Sequence, residues 1–282
     1  MKTNILSNSL RLAVIASISS GIALAGSPDS IESTPTIQTP PSTESDWEFR
    51  IEPFIWAPAL DGTVGVLGRT TDIDFSLSDL FSSSSAGNAS YDVDMLFAIQ
   101  VEARKGRWGI IADATYLDLD ITGTPPTPRH LSADVDFTEL LGNLLVTYRL
   151  TDNSPTGFLD LYSGARVNSL SLDISAQANR IIFPGQAAFD DSHTETWVDP
   201  VIGLRGQWNF AEKFFLAGKA DIGGFGVSSD LLWSAEATLG YQFTPGFNTE
   251  IGYSYYNTDY EDGGFNYDVA MGGFFIGFNI TL

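Results

Sequence analysis

The sequence contains no cysteine, which excludes a disulfide scaffold, a CxxC redox site and a thiolate zinc site. Bases are scarce: 14 Lys and Arg stand against 35 Asp and Glu in 282 residues, a formal charge of −21. Phosphate backbones are held by surplus Lys and Arg, so nucleic acid is excluded as a partner. Long apolar runs are missing as well. Beyond the N-terminus no uncharged, mostly apolar stretch reaches the ~18 residues that a spanning helix needs. What is present is 27 Gly, 19 Phe, 10 Tyr and 6 Trp, with 43% hydrophobic residues spread without blocks. That is the composition of a β protein.

Residues 1–25 have a weakly basic start (Lys2, Arg11), an apolar centre from Leu12 to Ile18 and a small-x-small end, Ala23-Leu24-Ala25. This pattern predicts a secretory signal peptide cut before Gly26. Ser17, Ser19, Ser20 and Gly21 break the apolar run too early for a membrane helix. Removing Lys2 and Arg11 from the 14 bases leaves 12 against 35 acids. Residues 26–45 are mostly Ser, Thr and Pro and bury too little to offset ordering entropy, so a flexible linker is expected there. The folded part is then 46–282.

From Asp46 the dominant period is two. Phe97, Ile99, Val101 and Ala103 share one face, with Gln100, Glu102 and Arg104 on the other. Leu231, Trp233, Ala235, Ala237, Leu239, Tyr241 and Phe243 alternate with Ser234, Glu236, Thr238 and Gln242. Such alternation sets one face against something apolar and the other against something wet. Soluble sandwiches share this period, so two further patterns decide. Short connections at 105–107, 151–157, 211–213 and 244–246 alternate with generally longer ones at 57–88, 122–132, 176–193, 225–229 and 261–265, the habit of outer-membrane barrels. Aromatics also gather at strand ends. Trp108, Tyr148, Trp208, Phe210, Phe214, Tyr241, Phe243 and Phe247 sit beside the short turns, and Tyr91, Tyr116, Trp197 and Trp233 toward the long loops. These read as two outward belts bounding an apolar layer of ~25 Å.

The final segment, 269–282, carries Phe274, Ile276, Phe278, Ile280 and Leu282 on one face up to the last residue. With the stretches Asp199-Pro200-Val201-Ile202-Gly203-Leu204-Arg205, Asp221-Ile222-Gly223-Gly224-Phe225-Gly226, Gly240-Tyr241 and Gly252-Tyr253, the chain resembles bacterial outer-membrane β-barrel proteins. That broad group includes porin-like and OmpA- or OmpW-like barrels. The likeness covers the C-terminal third well and the rest loosely. Leu282 departs from the terminal phenylalanine usual in such proteins. The resemblance implies an all-β, antiparallel up-and-down transmembrane barrel in the bacterial outer membrane. Implied partners are membrane lipid, lipopolysaccharide and the barrel-assembly machinery. Ten strands are expected, roughly 46–57, 89–104, 107–121, 132–150, 157–175, 194–210, 213–224, 229–243, 247–260 and 265–282, in a monomeric barrel. Residues 63–66 with 72–76 form either a hairpin in the first loop or two more wall strands, making twelve; eight is the other alternative.

With the aromatics outward, the lumen receives Arg50, Glu52, Glu102, Arg104, Asp113, Glu139, Arg149, Asp160, Arg166, Asp199, Arg205, Lys219, Asp221, Glu236 and Glu250. These line either a charged pore or a salt-bridged plug, since eight strands are already filled by their own side chains. Above the belt the same phase puts Asp118, Asp120, Asp134 and Asp136 outside, a candidate rim site for Ca²⁺ or Mg²⁺ or simply a solvated rim. No other cofactor is expected. Leu117, Leu119, Ile121, Val135 and Phe137 then turn inward, to be covered by Phe75, Leu77, Leu80 and Phe81 of the first loop.

Catalysis has little support. The histidines are His130 and His193, and although Ser192-His193-Thr194-Glu195 offers a hydroxyl, an imidazole and a carboxylate, no G-x-S-x-G motif or oxyanion donor accompanies them. The Gly-rich 223–226 stretch lacks the Lys-Ser/Thr of a phosphate loop and suits a strand end needing sharp bends. The expected function is porin-like passage of small solutes or a structural barrel. An adhesin presenting the 57–88 and 176–193 loops is the alternative, and a lipid-modifying enzyme a remote one.

Overall fold

A computed structural model describes residues 47–66, 69–76, 89–123, 131–151, 154–178 and 189–282. The signal-peptide and linker segments, His130 and residues 77–88 lie outside the described residues, as do the side chains of Phe75, Tyr91, Ile121, Asp134 and Val135.

Eleven strands run in chain order: β1 (Glu48–Val66), β2 (Arg69–Phe75), β3 (Ala89–Lys105), β4 (Trp108–Gly123), β5 (Leu131–Arg149), β6 (Gly157–Ala178), β7 (Phe189–Asn209), β8 (Phe214–Gly224), β9 (Leu231–Thr244), β10 (Phe247–Asp262) and β11 (Phe265–Thr281). Each wall strand pairs antiparallel with the next, and β11 returns to β1 from Arg50↔Thr281 to Gly65↔Asn266. The result is a closed up-and-down barrel of ten wall strands, with no free edge to its sheet at the level of the belt. The eleventh strand, β2, is a short arm. β1 pairs with β3 from Glu48 to Phe54 and with β2 from Leu60 to Val66. The 63–66 and 72–76 stretches therefore make a hairpin at the rim and not two more wall strands. Pro58, which has no N–H to donate, falls in the stretch of β1 whose described partner is β11 alone.

The exterior is apolar over a broad band. Ile55, Val101, Ile110, Leu144, Val146, Ile202, Leu204, Leu239, Ile251 and Ile276 all stand exposed. A surface of this kind is stable only in lipid. At the short-turn end an aromatic girdle follows the rim: Trp208–Phe210, Phe210–Phe214, Phe214–Tyr241, Tyr241–Phe243 and Phe243–Phe247 are successive ring neighbours, with centroids 4.7–6.2 Å apart. At the other end Trp233 packs on Tyr255 and Tyr253 on Phe274.

Trp197 is a correction to this pattern. It is 3% exposed and points into the barrel. Its phase is that of the buried Asp199 and Val201, so an indole there cannot join an outward belt.

The wall is uneven in height. β8 and β9 end in a turn where Gly224, Phe225 and Gly226 take φ of 81°, 53° and 70°, left-handed values that glycine adopts freely and phenylalanine at a cost. This low turn is pinned to β7, since Ser229 donates both its backbone N–H and its hydroxyl to the Asp199 carboxylate at 2.8 and 2.6 Å. β4 to β7 continue higher. Above Tyr116, Leu140 and Val198 their outward residues become Asp118, Asp120, Thr138, Asp136, Ser169, Ser171, Asp173, Thr196 and Thr194, and the Ser169–Thr196 and Ser171–Thr194 hydroxyl pairs bridge β6 and β7 at 2.8 and 2.9 Å.

Candidate functional site

The interior is built by the residues that alternate with the lipid face, and all fifteen charged positions read as lumen-lining point into it. They do not form one continuous charged channel. Three layers stack along the axis.

The lowest layer, beside the short turns, is a guanidinium cluster. Asp160 on β6 is fully buried and accepts hydrogen bonds from Arg104 at 2.6 Å, from Arg205 at 3.0 Å and from Arg149. Glu102 accepts from Arg104 Nε at 3.0 Å and Arg205 Nη2 at 2.6 Å, with Arg50 Nη1 at 3.7 Å. Each carboxylate is thus shared among several guanidiniums, and charge-assisted bonds of this kind are the strong ones. Arg149 also lies over the Phe158 ring at 4.2 Å.

The middle layer holds the remaining charges in separate groups. Arg166 reaches Asp221 Oδ2 at 2.9 Å and Asn143 Oδ1 at 2.9 Å; Tyr162 donates to the same Asp221 oxygen at 2.9 Å, and Asn143 donates to Asp113 at 2.7 Å. Lys219 lies 3.5 Å from Glu236. Glu52 accepts from Gln100 and Asn279 at 3.3 and 3.2 Å, and a Cβ at the intervening Gly277 would press on both Glu52 and Glu250. A cavity of about 1070 Å³ runs through these two layers. Its lining begins at Gly106, Pro155 and Gly246 of the short turns and ends at Trp56, Tyr256 and Phe275.

The upper layer begins where the cavity lining ends, at Trp56 and Phe275. Fifteen buried side chains form one apolar core inside the wall, among them Trp56, Leu117, Leu119, Phe137, Leu170, Trp197, Tyr260, Phe265, Tyr267 and Met271. Leu117, Leu119 and Phe137 turn inward as the phase of β4 and β5 requires. Among the described residues they share one buried cluster with side chains of β1, β6, β7, β10 and β11. One carboxylate is embedded here: Glu139, 4% exposed, which accepts from Tyr267 at 2.9 Å. Asp199 is likewise committed to the β8–β9 turn.

Outside, Asp118, Asp120 and Asp136 face outward as their phase dictates. Asp118 accepts from Thr138 at 3.0 Å and is near the Tyr116 hydroxyl at 3.4 Å. The pairing sets Asp120 opposite Asp136 and Asp136 opposite Asp173, so Asp173 belongs to this row although sequence reasoning passed over it. Among the described residues no three such side chains gather closely enough to hold a metal ion. At the upper interior His193 Nε2 is 3.5 Å from Glu195, Tyr260 donates to Glu195 at 3.1 Å, and the imidazole stacks on Phe265. Ser192 lies on the opposite face of β7, so the hydroxyl and imidazole of that tetrapeptide are not brought together.

No family model and no curated protein matches the chain. Among solved structures it is similar to the outer-membrane protease OmpT from Escherichia coli, at 13% identity and a TM-score of 0.48 over 85% of this chain and 98% of that one. It is also similar to the translocator domain of the autotransporter NalP from Neisseria meningitidis, at 13% identity and a TM-score of 0.47 over 85% and 89%. The attachment invasion locus protein Ail of Yersinia pestis follows at 12% identity and a TM-score of 0.36 over 84% and 99%.

Proposed function

We propose that this outer-membrane β-barrel is a closed, structural barrel that passes no solute along its axis. The observation that carries the reading is the upper apolar layer, whose fifteen buried side chains come from seven of the ten wall strands, β1, β4 to β7, β10 and β11. A close-packed apolar plug excludes water, and an ion or polar solute crossing it would lose its hydration with nothing offered in return. The charges below the plug pair with one another across the lumen, which suits a wall braced from within better than a lined pathway. The test is electrical. Refolded protein that shows heat-modifiable migration, inserted in a planar bilayer, should give no conductance steps at any voltage; a steady unitary conductance overturns the reading.

A second reading, a surface-interaction barrel, is favoured by the height of β4 to β7, whose polar hydroxyl and carboxylate face continues above the apolar band. Cells carrying the protein should then adhere to a coated surface better than cells without it, and equal adherence ends this reading. Catalysis forms no part of either. His193 and Glu195 share one face of β7, with Ser192 on the other.

A further inference from the structure

Two turns at the long-loop end of the wall differ in kind. Between β10 and β11 the chain turns through Glu261, Asp262, Gly263 and Gly264, all exposed, a polar composition that suits water. Between β8 and β9 it turns through Phe225, Gly226 and Val227, with Phe225 56% and Val227 68% exposed. Neither side chain belongs to an apolar core of the barrel. Phe225 holds its φ of 53° between two glycines that take such values freely. Its ring therefore costs backbone strain and fills no space inside.

The polar groups of the same turn are tied back to the wall. Val227 N–H donates to the Gly224 carbonyl and Gly226 N–H to the Ser229 carbonyl, both at 3.0 Å. Ser228 donates its hydroxyl to the Val198 carbonyl at 2.8 Å, and Ser229 is committed to Asp199. What remains exposed between Gly224 and Ser229 is Phe225, Gly226 and Val227. This patch continues the lipid face, because Ile222, Leu231 and Trp233 just below it are exposed as well.

Strand length sets the height. β8 has 11 residues. Rising about 3.3 Å each at a tilt of about 40°, they reach ~28 Å from the girdle at Phe214, against an apolar layer of ~25 Å. β6 and β7, with 22 and 21 residues, pass well beyond that level. Asp230, and Asp259 opposite Leu231 in the pairing, bring the first charges beside the turn. The level is thus the edge of the hydrocarbon and not its depth.

We propose that the β8–β9 turn is a lipid-contact site in the outer leaflet, with Phe225 and Val227 seated among acyl chains at the boundary of the head groups. Apolar and aromatic side chains at that level gain by leaving water. The contact anchors the low side of the barrel, whether or not the lumen conducts or the tall side meets another surface.

A chain without cysteine accepts a single reporter. Val227→Cys, which leaves Phe225 in place, is labelled with bimane and the full chain refolded into phosphatidylcholine vesicles. Its emission should be blue-shifted, quenched by phospholipid carrying a nitroxide on the acyl chain, and shielded from aqueous iodide, as for Leu144→Cys in the apolar band. Asp262→Cys on the polar turn should show the opposite pattern, and Phe225→Cys should follow Val227→Cys. Heat-modifiable migration reports folding of each variant. Iodide quenching at 225 and 227 equal to that at 262, with no quenching from the lipid, overturns the proposal and leaves the patch to a protein partner.

Discussion

The indole of Trp197 lies flat on the phenol ring of Tyr260, centroids 4.3 Å apart and planes 6° from parallel. The two residues belong to β7 and β10, which flank the low β8–β9 turn, so the stack joins the wall where two strands fall short. It also makes Trp197 a shared member of the apolar core, within 5.4 Å of Tyr267 and 6.2 Å of Phe265. Trp197→Ala should destabilise the barrel by about 3–5 kcal/mol, as large aromatic truncations do. The measurement is the midpoint of the heat-modifiable gel shift in detergent. A midpoint equal to wild type would show that the gap is closed by other contacts.

The Arg166–Asp221 pair should behave as a buried ion pair whose worth lies in its completeness. Asp221→Ala alone strands the Arg166 charge and should cost about 3–5 kcal/mol. The double replacement Arg166→Met with Asp221→Leu removes both charges and should recover most of that loss. Urea unfolding of the two variants checks it, and additive losses would refute the coupling.

Gly240 marks a close approach that needs the missing side chain. It pairs directly with Phe215 across β8 and β9, and a Cβ at Gly240 would overlap the ring. Gly252 stands in the same relation to Phe275 across β10 and β11. Gly240→Ala should cost about 1–3 kcal/mol through overpacking, and adding Phe215→Leu should return part of it. If Gly240→Ala unfolds at the wild-type denaturant concentration, the ring is free to move and the packing argument fails.

The boundary of the lipid face can be read by placing one charge at two heights. Leu144 is 60% exposed within the apolar band, and Lys there should cost about 2–4 kcal/mol if it sits near the bilayer midplane. Thr194, outward on the tall part of β7, should accept Lys almost without cost. Refolding yield into vesicles of matched thickness distinguishes the two, and equal yields would mean that the band is misplaced.

Period-two alternation made the wall legible. The antiparallel ten-strand barrel followed from it, whereas the register in which β11 closes on β1 is set by the pairing of the two strands and is not written in either one alone. The upper core was harder to see. On β11 the apolar residues inside the barrel are Phe265, Tyr267, Val269 and Met271, with Phe275 below them, while those outside are Phe274, Ile276, Phe278 and Ile280. Beyond Gly272 and Gly273 most of the apolar residues pass to the outer face, Phe275 excepted, with no bulge in the pairing. β7 changes the same way between Val198 and Trp197. An expectation that aromatics face lipid hides this signal, because a strand crossing from lipid to water can exchange which face is apolar without changing which face is inside. The guanidinium cluster was foreseeable as charge but not as arrangement, since the sharing of Asp160 depends on β3, β5 and β7 meeting around β6.

Layering also gives the barrel a direction. The half of the wall above the bilayer midplane must be carried through hydrocarbon to reach its final place, whereas the half near the short turns need not. In this chain the travelling half encloses mostly apolar rings and aliphatic side chains, and the guanidinium cluster stays on the side from which the chain arrives. Exchanging the two interiors would leave the finished wall much the same while requiring four arginines to make the passage. The asymmetry therefore lowers the barrier to entry without any requirement that it alter the stability of the inserted state.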